Sequence, residues 1–346
     1  MSEQAVAGID SARVGAWLEA NVPGVRGPFT YRVIAGGLSN LTYHVLPAEG
    51  RRMVLRRPPL GHVLASAHDM GREHRIIAAL RDSPVPVPEA LGFCDDPDVN
   101  GAPFYVMAYV EGTAIHNPAE AEAALDAEAR PRVAEALVDT LAAIHAVDPT
   151  AVGLGDLGRH EGYIARQLKR WLAQYEQSTA TPAPEIADVH RILSARIPEQ
   201  GPAAIVHGDY RLDNCLVTRD GRVAAVLDWE LCTLGDPMAD VGLLGLYWVG
   251  PGDEHSGLDD PPTVLPGFPS RAQVLERYAQ TSGRSLEHID FYLAFANWKL
   301  ACILEGVRTR YLLGAMGEGS TVEVDALRRR IDRCARTAAE IAARLV

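Results

Sequence analysis

His207-Gly208-Asp209-Tyr210-Arg211-Leu212-Asp213-Asn214 opens a short β-like island that closes on Leu227-Asp228-Trp229-Glu230. Between them run the apolar stretches of NCLVTRDGRVAAVLDWE, split by Asp220-Gly221, a pair that signals a tight turn between two strands. Read as a hairpin, the segment carries Asp209 and Asn214 on the loop entering its first strand and Asp228 at the end of its second. Side-chain oxygens delivered to one end in this way can converge on a hard cation and a neighbouring hydroxyl.

Phosphoryl transfer suits such a set, because its loose transition state asks for strict positioning and charge neutralisation more than covalent chemistry. Mg²⁺ prefers octahedral oxygen ligands, so one carboxylate and one amide oxygen suffice beside waters and nucleotide phosphates. Asp228 and Asn214 are the protein ligands on this reading. HGDxxxxN, with five positions from Asp209 to Asn214, resembles the catalytic-loop pattern HxDxxxxN of the aminoglycoside phosphotransferase and choline kinase family. Leu227-Asp228-Trp229-Glu230 stands where kinases carry DFG. HGDYRLDN together with VLDWELCTLGDPMADVG is similar to a bacterial subgroup related to the kinase-like domain fused to some acyl-CoA dehydrogenases.

The resemblance implies an α+β, bilobal, protein-kinase-like fold with a small β-rich N-terminal lobe and a larger, mainly helical C-terminal lobe. It also implies a kinase that moves the γ-phosphate of ATP, or of GTP, to the hydroxyl of a small molecule with Mg²⁺. Asp209 then looks like the base on the acceptor hydroxyl. Asn214 and Asp228 are the metal ligands, and Arg211 is a cation that stabilises the phosphoryl group or pairs with Asp209 or Asp228. Gly37, Ser39 and Asn40, within Ile34–Tyr43, fall where such kinases cover the phosphates; a plain β turn is the competing reading. Arg56 occupies the position of the usual strand lysine, a departure that keeps charge but not shape, and a surface arginine beside Arg51, Arg52 and Arg57 is its alternative. Glu73 is the partner such kinases pair with that cation, or else a solvated helix face. Ala108 and Val110 would offer backbone groups to a purine. His207, Asp236 and Asp240 read as supports of the catalytic loop.

The remaining sequence agrees with a soluble globular chain. Periodicity is strand-like in FTYRVI, LTYHVL, RMVLR, ALGFC and PFYVMAYV, with one helical segment near 68–80, and becomes mostly helical after Glu111. AEAEAALDAEAR reads as exposed helix, and the stretch 250–270 as irregular loop. The expected boundaries are a nucleotide-binding lobe at 1–107, including an N-terminal helix, a hinge at 108–112 and a helical lobe at 113–346 carrying the catalytic loop and acceptor pocket.

With 45 acidic against 33 basic residues, the net charge of −12 argues against nucleic acid as a partner and mildly favours a cationic acceptor. Tyr163, Arg166, Trp171, Trp248, Trp298 and Glu305 are places to look for the acceptor pocket. Five widely spaced cysteines without a CxxC pair read as buried thiols, and the N-terminus lacks a signal-peptide pattern. No apolar run spans a membrane, so cytoplasm is expected. A nucleotide-binding pseudokinase or regulatory module without turnover is the alternative function, motivated by Arg56.

Overall fold

The computed structural model describes residues 6–34, 40–60, 69–179, 183–251, 253, 259–313 and 323–346. The chain divides into two compact units, 1–112 with 224–231, and 113–223 with 232–346.

In the first unit, helix α1 (Ser11–Asn21) leads into strands β1 (Arg26–Val33), β2 (Leu41–Glu49) and β3 (Met53–Arg57). Helix α2 (Met70–Leu80), strand β4 (Ala90–Cys94), the short helix α3 (Pro97–Asn100) and strand β5 (Phe104–Ala108) follow. The antiparallel sheet has the order β1-β2-β3-β5-β4. Alternation in β2 buries Tyr43 and Val45, which join Val14, Leu18, Leu55 and Phe104 in one apolar core. Helix α2 begins where Asp69 accepts the Arg72 N–H at 2.9 Å, and it buries Met70, Glu73, Ile76, Ile77 and Leu80 at helical spacing. Glu73 therefore lies in the apolar stripe, not on a solvated face. Residues 224–231 belong to this unit: Val226 N–H donates to the Pro86 carbonyl at 2.8 Å, and the buried Trp229 donates to Val226 O at 3.1 Å.

The second unit is mainly helical: α4 (Pro118–Ala124), α5 (Ala129–Ala146), α6 (Tyr163–Ser178) and α7 (Pro184–Ala195) come first. Strands β6 (Ala204–Val206), β7 (Cys215–Val217) and β8 (Val223–Val226) follow, the chain leaving this unit within β8. Strand β9 (Thr233–Gly235) pairs with β6, and helices α8 (Met238–Tyr247), α9 (Arg271–Ser282), α10 (Ile289–Leu312) and α11 (Val324–Ala342) complete it. The Asp220-Gly221 turn forms as the sequence signals, with Gly221 at φ +91° and Thr218 N–H donating to Arg222 O at 2.9 Å. The acidic Ala-rich segment is not one helix: it breaks at Leu125, whose backbone turns extended and whose side chain is buried, while Asp126 accepts the Ala129 N–H at the start of α5. All five cysteines are buried and free, and no helix among the described residues is long and apolar enough to cross a membrane.

Helix α10 is the axis on which α6, α7, α8 and α11 pack. Its approach to α8 depends on Gly242, where a Cβ would collide with the backbone of Tyr292. Because both sides of that contact are helix backbone, neither yields cheaply. Gly242→Ala is expected to lower stability by about 1–3 kcal/mol, read as a reduced urea midpoint with an unchanged slope.

Candidate active site

In the second unit, the loop after β6 is fixed before it presents any functional group. Asp240, buried in the first turn of α8, accepts the His207 N–H at 2.7 Å and the Gly208 N–H at 2.9 Å. Gly208 takes φ +86°, a left-handed conformation that glycine adopts without a Cβ clash. The next N–H, that of Asp209, donates to His207 Nδ1 at 3.3 Å, which gives the fully buried histidine a structural role. Asp236 caps the same helix by accepting the Met238 N–H at 3.0 Å, and it accepts the Tyr292 hydroxyl at 2.7 Å.

The carboxylate of Asp209 is held in turn. Asn214, in the turn Leu212–Asn214, donates its amide to Asp209 Oδ2 at 2.9 Å and to the Asp209 carbonyl at 2.8 Å. Its amide oxygen is thereby the atom left to offer a cation. Arg211 lies 3.4 Å from Asp209 and 2.9 Å from Asp213, with its guanidinium 4.9 Å from the centre of the Tyr247 ring. Beside this loop opens a cavity of about 270 Å³, lined by Arg211, Asp213, Tyr247, Trp248, Asp260 and Arg330 among others. Of the acceptor candidates read from sequence, Trp248 lines it. Trp298 is instead a core residue donating to Ile186 O, and Glu305 is buried facing Arg308.

Behind the loop, His145 touches Asp240 at 3.3 Å through Nε2 and the Tyr278 hydroxyl at 2.7 Å through Nδ1. Since Asp240 can only accept there, Nε2 carries the proton and Nδ1 accepts from Tyr278. Burial pushes His145 down, against the pull of Asp240, and the ring stays neutral. Burial opposes ionisation of Asp240 too, but hydrogen bonds from His145 and from the Gly208 N–H help to leave its pKa lowered.

The first unit holds a separate polar cluster. Arg56 lies 3.1 Å from Glu73, 2.6 Å from Asp228 and 3.8 Å from Glu230. The surface-arginine reading fails, because its side chain is only 12% exposed. Burial would lower its pKa, but Glu73, Tyr105, Asp228 and Glu230 together raise it. Burial pushes the Glu73 carboxyl up, while Arg56 and the Tyr105 hydroxyl, which donates at 2.9 Å, draw it back. Asn40 bridges Glu73 at 3.3 Å and Glu230 at 3.0 Å. Asp228 is the one non-glycine with left-handed backbone among the described residues, at φ +63°, a region aspartate tolerates better than most residues.

Oxygens of Glu73, Asp228 and Glu230 lie within 4.8 Å of one another. Three carboxyl groups meet one guanidinium here, and such hard oxygen donors fit Mg²⁺. Asp228 and Glu230, at 27% and 21% side-chain exposure, are reachable, whereas Glu73 at 2% is held by Arg56 and Tyr105. Ala108 donates its N–H to Glu89 O at 2.8 Å, so its carbonyl is what a nucleotide base could take. Gly37 and Ser39 lie outside the described residues.

Sequence reasoning missed Glu230, although it stands two places beyond Asp228, and Tyr105, whose strand position reads as core. It also missed Lys299, because a lysine in a helix reads as solvated.

A family model described as the phosphotransferase enzyme family matches residues 30–287. Acyl-CoA dehydrogenase family member 10 of Mus musculus is 36% identical over 292 residues, 83% of this chain and 27% of that protein. Acyl-CoA dehydrogenase family member 11 of Gallus gallus is 34% identical over 309 residues, 86% of this chain and 39% of that protein. The chain thus spans well under half the length of these curated relatives. A crystal structure from Ralstonia eutropha JMP134, provisionally described as an aminoglycoside phosphotransferase, is 32% identical with a TM-score of 0.81, covering 97% of this chain and 98% of that one. A thermostable mutant of aminoglycoside phosphotransferase APH(4)-Ia, solved with ADP and hygromycin B, shares the fold at 16% identity and a TM-score of 0.62, covering 94% and 98%.

Two stability measurements check these networks. Arg56→Met leaves Glu73 buried without its cation and should cost about 3–5 kcal/mol in urea unfolding, with Arg56→Lys costing less because the charge is kept. For His145, a folded pKa below the ordinary 6.5 means that the unfolded chain binds the proton more tightly. Its contribution is therefore complete above that value and is lost as pH falls below it. In His145→Gln, the decline of stability from pH 7 to 5 should be shallower by up to about 1.4 kcal/mol per pH unit.

Proposed function

The chain belongs to the phosphotransferase enzyme family, and from that premise we propose that it moves the γ-phosphate of ATP or GTP to a hydroxyl of a small molecule in a Mg²⁺-dependent reaction. The observation that carries the reading is the Asp209 carboxylate, gripped by the Asn214 amide on a loop pinned by Asp240. A carboxylate so oriented suits a base that takes or orients the acceptor proton. Arg211, paired with Asp209 and Asp213, offers positive charge toward the transferring oxygens. Asn214 and Asp228 hold the metal in this proposal, with Glu230 as a further carboxylate. Mg²⁺ when bound supplies charge neutralisation on the phosphate oxygens.

In this proposal Asn40 faces the nucleotide phosphates, Arg56 and Glu73 form the cation–carboxylate pair that orders them, and the Ala108 carbonyl and Val110 N–H meet the base. Residues 108–112 connect the proposed lobes, 1–107 and 113–346. The hydroxylated acceptor enters the cavity beside Arg211 and Asp213; Asp259 and Asp260 on its lining leave room for cationic acceptors. The proposed setting is the cytoplasm, without a nucleic-acid or membrane partner.

One observation favours a second reading. Arg56 is engaged by three carboxylates, which suits a nucleotide-binding module that does not turn over.

Nucleotide consumption with Mg²⁺ over a panel of aminoglycosides, amino alcohols and other hydroxylated metabolites separates the two. Asp209→Asn is expected to lower kcat by about 10²–10⁴, and Asp228→Asn to raise the Mg²⁺ concentration needed for half-maximal rate while lowering the rate. Undiminished turnover in both variants would reject the assigned chemistry. Metal-dependent nucleotide binding by calorimetry, with no product from any acceptor, would favour the module.

A further inference from the structure

Lys299 is a buried ammonium that the proposed chemistry leaves unused. It lies within α10 at 8% exposure, with Nζ 3.3 Å from the Gly208 carbonyl and 5.7 Å from the centre of the Trp171 ring. Taking an ammonium out of water costs several kcal/mol, so a helix interior that only needed packing would be better served by leucine or methionine. Burial lowers the Lys299 pKa, with Arg170 adding to that, and Asp209 and Asp240 pull the other way; the groups that directly meet the ammonium are the Gly208 carbonyl and the Trp171 face.

The position of that carbonyl matters. The peptide joining Gly208 to Asp209 has its oxygen on Lys299 and its N–H on His207 Nδ1, while the preceding peptide has its N–H on Asp240. Gly208 carries no side chain and sits at φ +86°, so nothing within the residue itself resists rotation of this peptide. We propose that Lys299 is a positioning residue, locking the Gly208–Asp209 peptide through its carbonyl so that the Asp209 carboxylate is aimed at the acceptor hydroxyl. The inference rests on Asp209 being the base of the proposed transfer. Lys299 does not touch the reacting atoms; it acts through Asp209.

The test uses the full chain with Mg·ATP, read as phosphate release to water and to any acceptor the panel yields. Lys299→Met should lower kcat by about 10–100-fold while the KM for ATP and the calorimetric affinity for Mg·ADP stay within about twofold, the split a positioning role predicts. In the Asp209→Asn background, Lys299→Met should add no further loss, because the group it aims is gone. Turnover of Lys299→Ala should recover with ethylammonium and not with ethanol.

Independently of turnover, amide hydrogen exchange over residues 205–214 should be at least tenfold faster in Lys299→Met, with the rest of the helical unit unchanged. Wild-type kcat in Lys299→Met, losses that multiply with Asp209→Asn, or unchanged exchange in that loop would each overturn the role of Lys299. If Asp209→Asn itself kept full turnover, the reading of Asp209 as base would fall first and this inference with it.

Discussion

A single buried carboxylate organises the loop that follows β6. Asp240 accepts the N–H groups of two consecutive residues, His207 and Gly208, and meets a neutral His145 through the oxygen that also accepts from His207. Buried N–H groups without acceptors are costly, and a loop leaving a three-residue strand has few internal partners. By drawing those groups onto α8, Asp240 ties the loop to a helix that packs on α10, and the direction of Asp209 follows from that packing. Asn214 then closes the loop from its far end, donating to both the backbone and the side chain of Asp209. Specificity of geometry thus comes from a few short hydrogen bonds to backbone, backed by a close glycine contact at Gly242.

The acidic cluster of the first unit follows a different rule. Arg56 replaces a point charge with a planar fork, and the fork reaches several carboxylates at once: Glu73 through Nε, Asp228 and Glu230 through a terminal nitrogen. A lysine ammonium, compact and lacking that spread, would favour fewer partners. Asn40 and Tyr105 donate the remaining hydrogen bonds to Glu73, so its buried carboxylate is satisfied on both oxygens. The cost of burying Arg56 and Glu73 is offset inside the unit, while Asp228 and Glu230 keep partial exposure.

Much of the fold was legible because its signals are local. The alternation in LTYHVL and the continuous apolar run of PFYVM set strands, Asp220-Gly221 set a turn, and the 3.6-residue recurrence in α2 set a helix with a buried face. The same logic failed for AEAEAALDAEAR. Helix propensity is high throughout that stretch, but the burial of Leu125 and the hydrogen bond from Ala129 to Asp126 break it, and both depend on what packs nearby. The site divided similarly. Asp209, Asn214 and Asp228 stand at fixed spacing around a hairpin, so they could be singled out from the string. Glu230 carried a faint signal, while Lys299 and His145 carried none, since lysine and histidine in helical repeats look alike whether buried or solvated.

By itself, then, the sequence determined the succession of strands and helices, the His207–Asn214 loop and its residue types, because each is written in spacing along a few residues. Only the tertiary structure decided that Arg56 would gather three carboxylates, that Glu73 would turn inward, and that Asp240 and Lys299 would hold the peptides on either side of Gly208. Those outcomes depend on groups separated by tens to hundreds of positions, and the balance between desolvation and pairing that fixes them exists only once packing has excluded water.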